Sequence, residues 1–238
     1  STRDNTIGTV SAIHELGIEV APHLSFGTDS EDRMGELLRQ YQTMGIQRLV
    51  ALRGDLPSGS GGSQQLVYAS ELVKFIRAQT GDQFTIEVAA YPEIHPEAKS
   101  YSADVENLKR KFDAGADAAI TQYFFSVDAY TSFVDSCRQM GITKPIYPGI
   151  MPITNYDNLA RFSRNFGAVI PRWLDKKLAD FGNDNAALTL FGQTFITDLC
   201  QKLLASGAPG IHFYTMNQVE PIMSIVSELK RAGYFASQ

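Results

Sequence analysis

The chain has 238 residues, 44% of them hydrophobic and 20% charged, enough to bury a sizeable core in one large domain or two small ones. Its net charge of -5 and pI near 5.4, with no basic cluster denser than Lys109-Arg110-Lys111, argue against a nucleic-acid surface. No apolar stretch approaches the ~20 residues of a membrane span, and Cys137 with Cys200 builds neither a metal framework nor a disulfide lattice.

Reduced core cysteines in a cytoplasmic protein are therefore expected. The chain opens Ser-Thr-Arg-Asp-Asn-Thr, with neither an initiator Met nor a signal peptide, so it is expected to be processed or a piece of something longer.

A helix is expected over 6–16, with Ile7, Val10, Ile13 and Leu16 on one side, then a strand over 18–24 ending Pro22-His23-Leu24. Thr28 or Asp29 can cap the next helix, where Met34, Leu37, Leu38 and Tyr41 recur at helical spacing. The strand over 46–52 stops abruptly at Arg53, Gly54 and Asp55, and a Pro/Gly/Ser loop follows. Two opposite charges closing a buried strand suggest a site, although an ion pair that simply closes the loop is an equal reading. A helix over 66–78 and a strand over 84–91 come next, the strand running into Tyr91-Pro92-Glu93-Ile94-His95-Pro96-Glu97. The two prolines hold this segment out of helix until about Ser100.

A helix carrying Asp104, Asn107, Leu108, Lys111 and Phe112 then runs to Gly115, and a strand over 118–123 places Gln122 among aromatics. Helices over 127–140, 155–165, 171–180, 185–205 and 217–231 and strands over 145–150 and 211–215 complete the pattern. Five helix-to-strand junctions carry glycine, at Gly17, Gly45, Gly115, Gly141 and Gly207, where a left-handed residue lets the chain turn sharply.

Alternating strands and helices imply a parallel sheet with helical crossovers, in one domain. His23, Arg53 with Asp55, Tyr91 with Glu93 and His95, and Gln122 all follow apolar runs, so they share the C-terminal edge where such folds build sites. No G-x-G-x-x-G follows the first strand, so a (β/α)8 barrel is preferred to a Rossmann domain, with six strands countable.

Taken singly, His23 reads as a core histidine and His95 as a surface loop residue. Glu93-Ile94-His95 is not a metal spacing, so no metal is expected. Asp104, Asn107 and Lys111 form either a solvated helix face or a surface aimed at a phosphate. A strand-end amide such as Gln122 needs partners, whereas Phe162 and Trp173 read as core.

Several segments closely resemble bacterial methylenetetrahydrofolate reductase: Pro22-His23-Leu24, Ala51 to Pro57, Tyr68-Ala69, Ala89 to Ala98, Leu108 to Ala116, Ile120 to Phe125, Pro148 to Pro152 and His212 to Asn217. They fall in the family's order and span essentially the whole chain. The resemblance implies a TIM barrel holding FAD, which takes hydride from NADH or NADPH and reduces 5,10-methylenetetrahydrofolate to 5-methyltetrahydrofolate. It assigns FAD contacts to His23, Arg53, Gly54, Asp55, Ala69, Tyr91, His95, Ala98, Asp104, Asn107, Arg110 and Lys111. Asp55 would lie near the flavin pyrimidine edge and the folate, and Gln122 would bind folate and nicotinamide in turn. Asn158, Phe162 and Gln218 would line the same site, although some relatives carry Arg where this chain has Gln218.

The family begins with a strand whose Phe-Glu-Phe-type motif carries the acid that activates folate, then a second strand ending in a Thr-Tyr-Gly-like FAD contact. Neither is present here, so the expectation is a partial (β/α)8 TIM barrel over 1–238, lacking the first two strands, the first helix and the general-acid Glu. The relatives form dimers or tetramers, so a homo-oligomer is expected. A related FAD barrel such as proline dehydrogenase is disfavoured by the Gln122 motif and by the lack of that family's carboxylate-binding arginines. A remnant that binds FAD or a partner without turnover is the non-enzymatic alternative.

Overall fold

The computed structural model describes residues 2–25, 30–53 and 68–235. Within them the chain runs α1 (Thr2–Glu15), β1 (His23–Leu24), α2 (Glu31–Thr43), β2 (Arg48–Ala51), α3 (Ala69–Thr80), β3 (Thr85–Ala90), α4 (Tyr101–Asp113) and β4 (Ala118–Thr121). It continues through α5 (Val127–Gln139), β5 (Ile146–Tyr147), β6 (Gly149–Ile150), α6 (Tyr156–Phe166), α7 (Arg172–Ala179), α8 (Asn185–Ala205), β7 (His212–Phe213) and α9 (Glu220–Arg231). Five strands form one sheet in the order β1-β2-β3-β4-β5, and β6 pairs with β7. The β1·β2, β2·β3 and β6·β7 pairings are all parallel, as the helical crossovers require.

The chain divides into two compact units, Ser1–Ala89 with Leu108–Ala119, and Ala90–Asn107 with Ile120–Gln238. In the first, α2 buries Met34, Leu37, Leu38 and Tyr41, and α3 buries Leu72, Val73 and Ile76. Each such side chain contributes about 1.5–3 kcal/mol on leaving water. Leu49, Ala51, Ile86, Val88 and Ala119 are wholly buried strand residues of this core. In the second unit α8 packs on α9 and α5. The ring of Phe124 stacks on Tyr130 at 5.9 Å, and Tyr130 donates its hydroxyl to the Ile146 carbonyl at 2.7 Å.

All five glycines expected at helix ends have positive φ. At Gly45, for example, the glycine N–H donates to Gln42 and the next residue, Ile46, donates to Tyr41. That pair of bonds satisfies the last helical carbonyls while the chain reverses. The same double closure recurs at Gly115, Gly141 and Gly207.

Several expected spans shorten. Only His23 and Leu24 of the 18–24 strand pair as a ladder; Pro22 adds one bond, its carbonyl accepting the Val50 N–H at 3.0 Å, but as a proline it has no N–H to return. The 145–150 strand breaks at Pro148, which has no N–H to donate, into β5 and β6, and these belong to different sheets. Residues 66 and 67 of the helix expected over 66–78 lie outside the described residues; α3 begins at Ala69, where Glu71 accepts the Tyr68 N–H at 2.8 Å. Thr28 and Asp29 lie outside the described residues; Ser30 caps α2, its Oγ accepting from the Arg33 N–H at 3.3 Å.

Three residues read as core are not. His23 is exposed at the start of the short outer strand β1. Trp173 is 57% exposed, because α7 buries Leu174 and Leu178 and Trp173 projects off that face. Phe162 is half-buried, with the Arg161 guanidinium 5.3 Å from its ring centroid.

Candidate functional site

The first unit carries His23, Arg53, Ala69, Arg110 and Lys111. His23 opens the two-residue strand β1 and stands abreast of Val50 and, one strand further, Glu87. Residues in register on parallel strands share a face, so His23 and Glu87 lie on one side. His23 is exposed, yet desolvation lowers its pKa against the opposing pull of the Glu87 carboxylate. Glu87 itself is buried and paired with Arg48, which also reaches Glu19 at 3.2 Å. Arg53 lies two residues beyond the end of β2, and Ala69 is the first residue of α3. Lys111 donates its ammonium to the Ala89 carbonyl at 2.8 Å, which ties the second half of α4 to the end of β3. Gly54 and Asp55 lie outside the described residues.

The second unit carries the rest. Tyr91 meets His95 edge-on, with ring centroids 4.5 Å apart. The Asp104 carboxylate accepts the His95 N–H at 2.7 Å, and His95 Nδ1 accepts the Glu97 N–H at 3.0 Å. A ring whose Nδ1 accepts carries its neutral-form proton on Nε2. The His95 carbonyl accepts the Ala98 N–H at 2.8 Å, closing the turn. Asp104, Asn107 and Lys111 follow at helical spacing on α4, with Arg110 beside them.

Gln122 leaves β4 with its N–H donated to Ala90 at 2.8 Å, and its side-chain oxygen accepts the Tyr123 N–H at 3.0 Å. Its amide nitrogen makes no hydrogen bond among the described residues. Tyr91, Glu93, Ile94, Gln122, Phe166 and Gly167 surround a crevice with room for about one water molecule. Burial raises the Glu93 carboxyl above its ordinary value, opposed by the Val169 N–H that donates to it at 2.8 Å. Burial likewise raises the Tyr123 phenol, whose oxygen is 3.2 Å from Ser163 Oγ.

Asn158 and Phe162 lie four residues apart on α6, which Asn155 caps through its side chain. Asn158 Oδ1 accepts from Arg161 at 3.1 Å. Gln218 follows Met216 and Asn217, both at positive φ, and its side chain accepts the Thr154 hydroxyl at 3.5 Å. The structure thus gathers Tyr91 and Gln122 at one crevice and Tyr91, His95 and Asp104 in one loop cluster. Asn158 and Phe162 share a helix face.

Sequence reasoning placed Glu93 at the site edge without its partner Val169, and missed Glu87 altogether. The only available signal for Glu87 was a lone carboxylate inside the apolar Ile86-Glu87-Val88 run. Among the described residues no group of three or more His, Cys, Asp and Glu side chains is arranged to hold a metal ion. None of their helices is long and apolar enough to cross a membrane.

The sequence model of the methylenetetrahydrofolate reductase family matches residues 1–230. The chain is 42% identical over 228 residues to 5,10-methylenetetrahydrofolate reductase of Salmonella typhimurium, covering 95% of this chain and 76% of that protein. The corresponding Escherichia coli protein is 41% identical with the same coverage. A probable methylenetetrahydrofolate reductase (NADH) of Oryza sativa is 37% identical, over 96% of this chain and 41% of that one. A solved structure of an uncharacterized protein from Clostridium thermocellum, which binds two copies of 5-methyl-5,6,7,8-tetrahydrofolic acid, matches in fold. Its TM-score is 0.56 at 20% identity, over 89% of this chain and 72% of that one.

Proposed function

The chain belongs to the methylenetetrahydrofolate reductase family, and from that premise we propose that it reduces 5,10-methylenetetrahydrofolate to 5-methyltetrahydrofolate with hydride from NAD(P)H relayed by FAD. FAD, when bound, would supply the hydride-transfer chemistry. The alternation of helices with parallel strands supports a family-type (β/α)8 barrel as the frame. The plant relatives are named for NADH, which supports NADH as the donor here.

The observation that carries the reading is the Gln122 amide. Its oxygen is engaged by the Tyr123 N–H, and its nitrogen, which makes no hydrogen bond among the described residues, stands beside a crevice. A donor held by its own backbone suits ligands that present an acceptor in turn, as nicotinamide and folate both do. Gln122, Asn158, Phe162 and Gln218 are accordingly assigned to the substrates.

The donor set also suits FAD. Asn107, Arg110 and Lys111 combine an amide with two cations on successive turns of α4, a combination matched to a pyrophosphate. His95 offers an Nε2 proton, and Asp104 holds the backbone that presents it. His23, Arg53, Ala69, Tyr91 and Ala98 complete the assignment, together with Gly54 and Asp55. The Asp55 carboxylate would disfavour negative charge on the reduced flavin and so tune hydride donation.

The test is to purify the full-length protein with added FAD and follow flavin colour, NADH oxidation with menadione, and reduction of methylenetetrahydrofolate. Gln122→Ala should retain flavin and lose about 10–100-fold in folate reduction. A protein that stays colourless and oxidises no NADH would contradict the reading.

A further inference from the structure

The helix α6, which carries Asn158 and Phe162, is held at two polar points. Ser163 Oγ lies 3.2 Å from the hydroxyl of Tyr123, the residue after Gln122. Beyond the helix C-terminus, the Val169 N–H donates to Glu93 Oε2 at 2.8 Å. Between these points Gly167 turns at φ 73, and a Cβ there would come within 2.8 Å of Pro96 Cγ. Loop 93–96 therefore grips the end of the helix on both sides of its turn.

The loop is itself under strain. Ile94 is β-branched and has φ 70, a conformation costing about 1–3 kcal/mol that persists only where neighbours over-determine it. The neighbours are the Val169 bond to Glu93 and the Asp104 bond to the His95 N–H, with Pro96 packed at Gly167. The same loop presents Tyr91 and His95. Packing alone would not need a half-buried carboxylate to receive a lone loop N–H 76 positions away.

We infer that Glu93 and Tyr123 are positioning residues that clasp α6 to the loop and strand end carrying Tyr91, His95 and Gln122, so that the flavin-side loop sets the register of Asn158 and Phe162. The inference rests on the function proposed above. Neither residue touches the reacting atoms; both act through the helix.

The test compares Glu93→Ala, Glu93→Gln and Ser163→Ala with the parent protein by FAD content, steady-state kinetics and hydrogen exchange of the Val169 amide. Glu93→Ala should speed that exchange by about tenfold or more. It should raise KM for methylenetetrahydrofolate by about 5–10-fold, whereas Ser163→Ala should leave kcat of NADH–menadione turnover within about twofold of the parent. Glu93→Gln keeps an oxygen acceptor and should restore both values, and Ser163→Ala should raise KM without changing FAD content. Unchanged exchange or unchanged KM in a folded, flavin-loaded Glu93→Ala protein overturns the clasp, as does a joint loss of KM, kcat and FAD in Ser163→Ala. If Glu93→Ala does not fold, an unchanged KM in Ser163→Ala overturns it. A parent protein without flavin or turnover would instead refute the proposed function, and the amide exchange would still judge the clasp.

Discussion

Arg77 Nη2 lies 2.6 Å from Asp117 Oδ2, and the same carboxylate oxygen accepts the Ile86 N–H at 2.8 Å. The guanidinium also donates to the carbonyls of Gly81, Phe84 and Gly115. One side chain thus closes the end of α3, the start of β3 and the turn into β4. Gly115 makes room for it: its φ is 113, and a Cβ there would stand 2.9 Å from Arg77 Cγ.

Arg77→Ala should therefore cost more than an exposed ion pair. The pair is partly buried, so a value of about 2–3 kcal/mol is expected, between the ~0–1 of surface pairs and the ~3–5 of buried ones. For a chain of this size that lowers Tm by about 5–10 °C. Arg77→Lys should recover little, because an ammonium cannot span four acceptors in a planar fork. Thermal denaturation of the two variants decides it; equal Tm for both and the parent would show the hub to be idle.

Gly149 is needed for closeness rather than for φ. A Cβ there would collide with the Thr121 carbonyl oxygen and come within 2.7 Å of the Tyr214 ring. Its N–H donates to Thr121 Oγ1 at 2.8 Å, and the Tyr214 hydroxyl donates to the Thr121 carbonyl at 2.8 Å. Thr121 is thus the post at which the chain passes from β5 to β6. Gly149→Ala should destabilise by about 1–3 kcal/mol through overpacking, and Thr121→Val by about 1–3 kcal/mol by orphaning a buried N–H. Urea midpoints measure both, and a neutral Gly149→Ala would show that the approach is not tight.

Asp104 is expected to act on cofactor binding through the loop it holds. Its carboxylate fixes the His95 N–H, and without it the His95 ring loses its seat. Asp104→Ala should weaken FAD binding by about tenfold or more, whereas Asp104→Asn retains an oxygen acceptor and should lose much less. Flavin titration followed by fluorescence measures the difference. Equal losses in the two variants would point to the charge instead of the loop.

The thiols of Cys137 and Cys200 are buried, and burial pushes both up to about 12. Since the thiolate is the reacting form, native protein at pH 8 should label at least about a hundredfold more slowly than unfolded protein. Denaturant should then expose both. Rapid labelling of either thiol without denaturant would mean that its helix opens readily.

How much of this was legible depends on whether the cause is local. The junction glycines announce themselves because only glycine takes φ near 80 cheaply, and four of the five close in the same double bond pattern. Strand-end residues such as His23 and Gln122 are readable because polarity after an apolar run is a one-dimensional signal. The partnerships are not readable: Glu93 with Val169 and Thr121 with Tyr214 join positions far apart in sequence, and no periodicity encodes them. Trp173 was misread for a different reason. Hydrophobicity alone suggests core, but the buried face of α7 is set by Leu174 and Leu178.

Glu93 also carries a pH signature. Its ordinary carboxyl value is 4.5, and burial raises it in the folded chain. The folded state then holds the proton more tightly than the unfolded state does. The resulting stabilisation is fully present below the unfolded pKa and is lost as pH rises through the folded pKa. Glu93→Gln cannot titrate yet keeps an oxygen for the Val169 N–H. The stability of the parent relative to Glu93→Gln should therefore fall as pH rises above the ordinary carboxyl value of 4.5, while Glu93→Ala stays below Glu93→Gln throughout. Urea denaturation of the three proteins as pH is raised measures the slope. A parent that gains on Glu93→Gln as pH rises would mean that the carboxylate is stabilised as an anion, and that the Val169 N–H outweighs its desolvation.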